Sequence, residues 1–256
     1  MDFFRLSTAA LAAILVAVVG GSVAAGILIG RVRRDRPNTT HEPVGVVQGT
    51  LLGLVGLLLA FGLSMAVGRY EARRTLVVQE ANDIGTTYLR AELLSAPERD
   101  PSLALLVEYT DAAIALADVV PDTRVYRERI AKIEMLQGQL WTLAGDAVKA
   151  DGVGTAPRLY IEVLNDMFDT HTSRVASLSN RVPTPVMLLL VVGSAIALGA
   201  LALFLTLLGR SVVTSLVTAV VLLIILFVSF DLDRPHRGFI TVPDTPLVQV
   251  RQSMGQ

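Results

Sequence analysis

The stretch "LLAFGLSMAVGRYEARR", residues 58–74, runs uncharged as far as Gly68 and then turns into Arg69, Tyr70, Glu71, Arg73 and Arg74. A helix that leaves an apolar run straight into arginines is either the end of a membrane span or the rim of something that conducts. The run it closes, Val44–Val67, has 24 residues without a charge, and roughly 20 apolar residues in a helix cross a bilayer. Three other stretches qualify: Leu6–Ile29 with 24 residues, Val186–Leu208 with 23 and Ser211–Phe230 with 20. Only Gly209 and Arg210 separate the last two. A single helix over both would be about 67 Å long, more than twice the hydrocarbon thickness, so a hairpin with Arg210 at its tip is expected.

Composition agrees. Of 256 residues, 52% are hydrophobic and 18% charged, against about 45–50% and 25% in soluble domains. The apolar excess is concentrated in the four runs. Without a cysteine there is no disulfide framework, thiolate metal site or cysteine nucleophile. A net charge of −1 offers no electrostatic case for nucleic acid. Arginine outnumbers lysine 20 to 2, a bias we read as that of a GC-rich genome. Arg5, an apolar run and Ser22-Val23-Ala24 have the parts of a cleaved signal peptide. The run is too long for an h-region, however, and Arg31, Arg33, Arg34 and Arg36 follow at once. A retained span is expected.

Residues 69–181 hold 13 basic and 17 acidic side chains. Their apolar residues recur at helical spacing, as in Val77, Ala81, Ile84 and Tyr88, then Tyr160, Val163, Met167, His171 and Val175. Pro97, Pro101, Pro121 and the stretch 151–157 are expected to break the block into about four helices, one starting near Thr155. No alternating strand pattern competes. The expected fold is an all-α integral membrane protein with two spans (6–29 and 44–67) within residues 1–68. A helical cytoplasmic domain follows over 69–182, then two spans (186–208 and 211–230) within 183–230, and a cytoplasmic tail over 231–256.

Arginines near span ends set the orientation. Arg5, Arg69, Arg73, Arg74, Arg174, Arg181, Arg234 and Arg237 fall on the side of the amino terminus and central block, against Arg31, Arg33, Arg34, Arg36 and Arg210 on the other. The count places both termini and the central domain in the cytoplasm.

No catalytic constellation emerges. His41, His171 and His236 lie far apart, and none stands in an H-E-x-x-H pattern. Gly152-Val-Gly154 follows no strand and is weak as a phosphate cradle. Glu162, Asn165, Asp166, Asp169 and His171 form the most metal-like group, with Glu162 and Asp166 sharing a helix face. His171 nevertheless falls on the apolar stripe with Met167 and Val175, so a core histidine beside a solvated acidic face is expected. Neither a metal nor a cofactor is called for. In the second span Gly45, Gly49 and Gly53 recur every fourth residue, with Gly56 close to the stripe. Small residues at that spacing let helix backbones approach inside a membrane; the same face is also a candidate pore lining.

Two spans, a helical block and two more spans resemble the bestrophin architecture. "FGLSMAVGRYEARR" is similar to the bestrophin pattern in which a pore helix ends in arginine, aromatics and Glu-Ala-Arg, with one aromatic fewer here. "DLDRPHRGF" is similar to the acid-x-Pro-Phe-Gly element, matched at Asp233 and Pro235, with His236-Arg237 in place of the phenylalanine. The whole chain most resembles the uncharacterised bacterial bestrophin-like group. The shared features are the His41-Glu42 lead, the R-Y-E-A-R-R exit, Leu164-Asn165 with Phe168-Asp169, "NRVP" at 180–183, and Asp231 to Pro235.

That resemblance implies a homo-oligomer, by analogy a pentamer, in a bacterial inner membrane, passing small inorganic ions along an axis lined by the second span. It aligns Gly53, Leu57 and Phe61 with a pore neck. Arg69, Glu71, Arg73, Asp231 and Asp233 would be charges at the pore mouth or membrane interface. Glycine at 53 departs from the bulky neck pattern, which leaves anion, cation and non-selective pores open. No acidic run matches a calcium clasp, so no calcium dependence is expected. The alternative is a non-conducting membrane scaffold whose helical domain binds a cytoplasmic partner.

Overall fold

The computed structural model describes residues 7–34, 41–117, 119–121, 123–210, 213–234 and 238–255. Arg5, Arg36, Ser211, Pro235, His236 and Arg237, with the side chains of Arg34, His41 and Glu42, lie outside that description. The described residues form helices α1 (Thr8–Arg34), α2 (His41–Ala91), α3 (Ala96–Ala117), α4 (Arg124–Ala150), α5 (Thr155–Ser179), α6 (Thr184–Leu207), α7 (Val213–Leu232) and α8 (Thr245–Ser253), and no strand. Four of them are long and apolar enough to cross a membrane: α1, α2, α6 and α7.

The chain divides into two units, 1–69 with 181–240, and 70–180 with 241–256. In the first, Leu11, Leu15, Val19 and Val23 of α1, Val55 and Leu59 of α2, Leu190, Leu198 and Leu201 of α6, and Leu222 and Leu226 of α7 make one core. α1 and α6 cross closely because neither carries a side chain at the crossing. A Cβ on Gly26 would collide with the Gly199 carbonyl, and one on Gly199 would lie 3.2 Å from the Ser22 carbonyl. In hydrocarbon such an approach supplies dispersion contacts that bulkier residues would block.

The predicted hairpin between the last two apolar runs is present. Gly209 has φ 69°, the left-handed conformation that costs glycine nothing. Its N–H bonds Thr206 O and that of Arg210 bonds Leu205 O, the paired ending of a Schellman motif. α6 therefore stops at Leu207, and α7 packs back against it.

In the second unit, α2 beyond Tyr70 joins α3, α4, α5 and α8 around Ile84, Leu106, Ile133, Leu136, Leu140, Leu164, Met167 and Leu247. Thr123 caps α4, its Oγ1 accepting from Tyr126 N at 3.1 Å. α5 begins at Thr155, as the sequence predicts. One expected break is absent: Pro101 lies inside α3. As the sixth residue of the helix, Pro101 gives up its bond to Pro97 O and its ring crowds that carbonyl, yet α3 continues through it.

Candidate functional site

The membrane half of α2 has two distinct faces. Gln48, Val55, Leu59, Gly62 and Ala66 are buried in their unit, while Val46, Gly49, Thr50, Gly53, Leu57, Ala60, Phe61, Ser64, Val67 and Gly68 are exposed on one side, flanked by Gly56 and by the exposed Val47, Leu54 and Met65. At 100° per residue the exposed set forms one continuous stripe. Gly53, Leu57 and Phe61 all lie on it, with Leu57 55% and Phe61 60% exposed. A Cβ on Gly45 would meet the Phe204 ring at 2.9 Å, but one on Gly49, Gly53 or Gly56 would meet nothing within 4 Å. The outward face of α7 carries Val213, Thr214, Leu216, Val217, Val220, Val221 and Ile224, with no glycine among them.

The charges beyond Gly68 take separate roles. Arg69 is half-buried and its NH1 reaches back to Met65 O at 3.4 Å. Glu71 and Arg74 form an exposed i,i+3 pair at 3.8 Å, a kind that contributes little. Arg73 is buried, donating from Nε to Ser177 O at 3.3 Å and from NH2 to Asn180 O at 2.8 Å. It thereby satisfies carbonyls at the end of α5.

Asp231 and Asp233 turn inward too. Asp233 Oδ2 accepts from Val182 N at 2.8 Å, and Asp231 Oδ2 from Ile240 N at 2.9 Å. Both side chains are buried. Each anchors a non-helical backbone segment, at the lead into α6 and after α7 respectively.

A family model described as Bestrophin-like domain matches residues 11–247. The chain belongs to the bestrophin-like family. No curated protein and no solved structure matches it. With four apolar helices and this family, the protein is a multi-pass membrane protein.

The bestrophin-like chain also holds a buried ionic cluster in its second unit. Glu80 of α2 is fully buried and uses both carboxylate oxygens, Oε1 to His171 Nδ1 at 2.6 Å and Oε2 to Arg174 NH1. Arg174 also donates to Ala113 O at 3.3 Å, and the Tyr109 ring meets His171 edge-on at 5.9 Å. Burial pushes the Glu80 carboxyl up. The Arg174 guanidinium and the His171 bond outweigh that, so it stands below its ordinary value. Burial, followed by the Glu80 charge, holds the Tyr109 phenol well above its own.

Further ties join α2 to α5 in the same unit. Thr170 Oγ1 donates to Asp83 Oδ2 at 2.6 Å, and Thr87 Oγ1 to Val163 O at 3.2 Å. With Arg73 and Glu80 they form a polar seam. His171 is the core histidine that its stripe predicts, and the seam satisfies it. Glu162, Asp166 and Asp169 lie exposed, and no group among the described residues is arranged to hold a metal ion. Sequence reasoning missed Glu80 and the burial of Arg174. The available signal was a charge on each apolar stripe, Glu80 between Val77 and Ile84 and Arg174 between Met167 and Leu178.

Proposed function

We propose that the protein is an oligomeric ion channel of the bacterial inner membrane. Copies of α2 surround a central axis, with Gly53, Leu57 and Phe61 forming the neck. The carrying observation is that Gly53, Leu57 and Phe61 share one exposed face of α2, on which Gly49, Thr50, Ala60 and Ser64 stand among valines. Small residues on a membrane helix let other helices approach it closely, and the same lack of bulk leaves room for a lumen. A hydrophobic constriction gates by dewetting, and ring size and number set its barrier. Arg69 stands two turns beyond Phe61, where it draws anions toward the inner mouth. The helical unit and both termini are cytoplasmic in this reading, and a pentamer is the family analogy.

The test is ion flux through purified protein in liposomes under separate chloride and potassium gradients, with Phe61→Ala alongside. Flux that rises or changes selectivity in the variant supports a neck on α2. No flux from a folded, oligomeric preparation of either form defeats the channel reading.

One observation favours the second reading, a membrane scaffold. Leu89 and Leu93 are each 64% exposed in the helical unit. Beside them runs an uncharged groove between α2 and α8, lined by Val78, Asn82, Thr86, Gln249, Val250 and Ser253 among others. A partner that binds there and survives Phe61→Ala would carry that reading.

A further inference from the structure

We infer that the turn Gly238–Ile240, after the last membrane helix, is an interfacial anchor that sets the Phe239 side chain into the lipid at the end of α7. The inference requires that α7 crosses a membrane and is independent of conduction.

The outward residues of α7, Val213, Val217, Val220 and Ile224, recur every three or four positions as an exposed aliphatic ridge. Phe227 is the next position on that ridge, about a turn and a half before the helix ends at Leu232. The Phe239 ring lies against it, centroids 6.1 Å apart and planes tilted by 49°. Phe239 therefore folds back beside the apolar span instead of leaving it. It is 80% exposed and Ile240 36%. An exposed phenylalanine in water forgoes the transfer free energy of a large apolar side chain; alongside a lipid-facing ridge it recovers it. α7 is long and apolar enough to cross a membrane; when it does, this exposed ridge is the face open to acyl chains, and the ring continues it, so lipid is the occupant inferred.

The turn is held in place, so the exposure is not that of a loose end. Asp231, buried at the end of α7, accepts from Ile240 N at 2.9 Å, and Gly238 N donates to Arg234 O at 3.2 Å. A Cβ on Gly238 would come within 2.8 Å of both Asp231 O and Oδ2. Glycine lets the chain pass close enough for the carboxylate to take the Ile240 N–H. The buried aspartate thus positions an apolar side chain at the membrane boundary.

The chain has no cysteine, which permits a direct test. Phe239→Cys and Thr142→Cys are each labelled with a nitroxide in the full chain and reconstituted in phosphatidylcholine vesicles. Collision with oxygen, which partitions into lipid, is compared with collision with a nickel chelate, which stays in water. Oxygen collisions should dominate at 239 and chelate collisions at 142, which is exposed in the helical unit. A second arm replaces Trp141, the one tryptophan, by phenylalanine and places tryptophan at 239. Lipids brominated high on the acyl chain should quench it, and aqueous iodide should not. Chelate access or iodide quenching at 239 overturns the inference by placing the ring in water. Protection from bromine and iodide alike also overturns it, because protein then covers the turn.

Discussion

Glu80 and His171 meet at 2.6 Å inside the helical unit, with Arg174 on the other oxygen of the same carboxylate. An ionised carboxylate only accepts, so His171 Nδ1 carries the shared proton. Glu80 is the carboxylate that pairs with Arg174, and both side chains are buried. Glu80→Gln keeps the shape and removes the charge. Leaving one partner of a buried pair alone costs about 3–5 kcal/mol, whereas Glu162→Gln at an exposed site should stay within about 0.5 kcal/mol. Unfolding followed by circular dichroism measures both. Equal, small losses would mean that water reaches the cluster.

The same carboxylate predicts an acid limit. Its value in the fold lies below the ordinary 4.5, so the unfolded chain binds that proton more readily. The stabilisation is complete above 4.5 and drains away as pH falls through the lower, folded value. Thermal midpoints measured from pH 6 down to pH 3 should fall more steeply in the parent protein than in Glu80→Gln. Parallel slopes would remove Glu80 from the account.

Much of this fold is legible in the residues, for physical reasons that also mark the limits. Four uncharged runs announce four membrane-length helices because lipid tolerates little else, and Gly209 signals the hairpin because a 45-residue helix does not fit a bilayer. Interior stripes such as Val77, Ala81 and Ile84 follow from a period of 3.6. Pro101 misleads because α3 runs on through it, although an interior proline lacks the N–H and crowds the preceding turn. Asp231, Asp233 and Arg73 read as interfacial charges beside apolar runs. Their hydrogen bonds go instead to backbone 9, 51 and more than 100 residues away, and no local pattern encodes those distances. Glu80 and Arg174 pair across 94 residues; only a charge out of place on each stripe hints at it.

Arg69 and Arg73 separate two meanings of an arginine after a span. Arg73 is buried against carbonyls of α5, and each such bond to a charged donor contributes about 1.5–3 kcal/mol. Arg73→Ala should lower the unfolding free energy by at least that much and leave ion selectivity of the surviving fold unchanged. Arg69→Ala should do the reverse, shifting reversal potential or conductance with little change in stability. Reversal potentials and melting curves on the two variants decide it. Selectivity that follows Arg73 would contradict the buried-cap role.

Gly238→Ala tests the turn after α7. The added methyl would press on a backbone carbonyl at 2.8 Å, and carbonyls do not swing aside as side chains do. Overpacking of this kind costs about 1–3 kcal/mol, and the bond from Ile240 N to Asp231 should lengthen. Amide exchange at Ile240 reads this directly: it should accelerate in Gly238→Ala and not in Gly145→Ala, where a Cβ meets nothing within 4 Å. Exchange that stays slow would show that the turn has room to shift.

Gly53→Phe asks whether the exposed stripe of α2 is a neck. A Cβ at this position meets nothing within 4 Å, so one chain accommodates the ring and the variant should melt like the parent. If Gly53 faces the axis one turn of helix from Leu57, every copy adds a ring to the constriction. A narrower apolar ring raises the dewetting barrier, and liposome flux should fall well below that of the parent while Phe61→Ala raises it or alters selectivity. Opposite responses at two positions on one face are hard to produce by general damage. Parent-level flux in Gly53→Phe, in a channel that still responds at Phe61, would move the neck off Gly53 and confine it to Leu57 and Phe61.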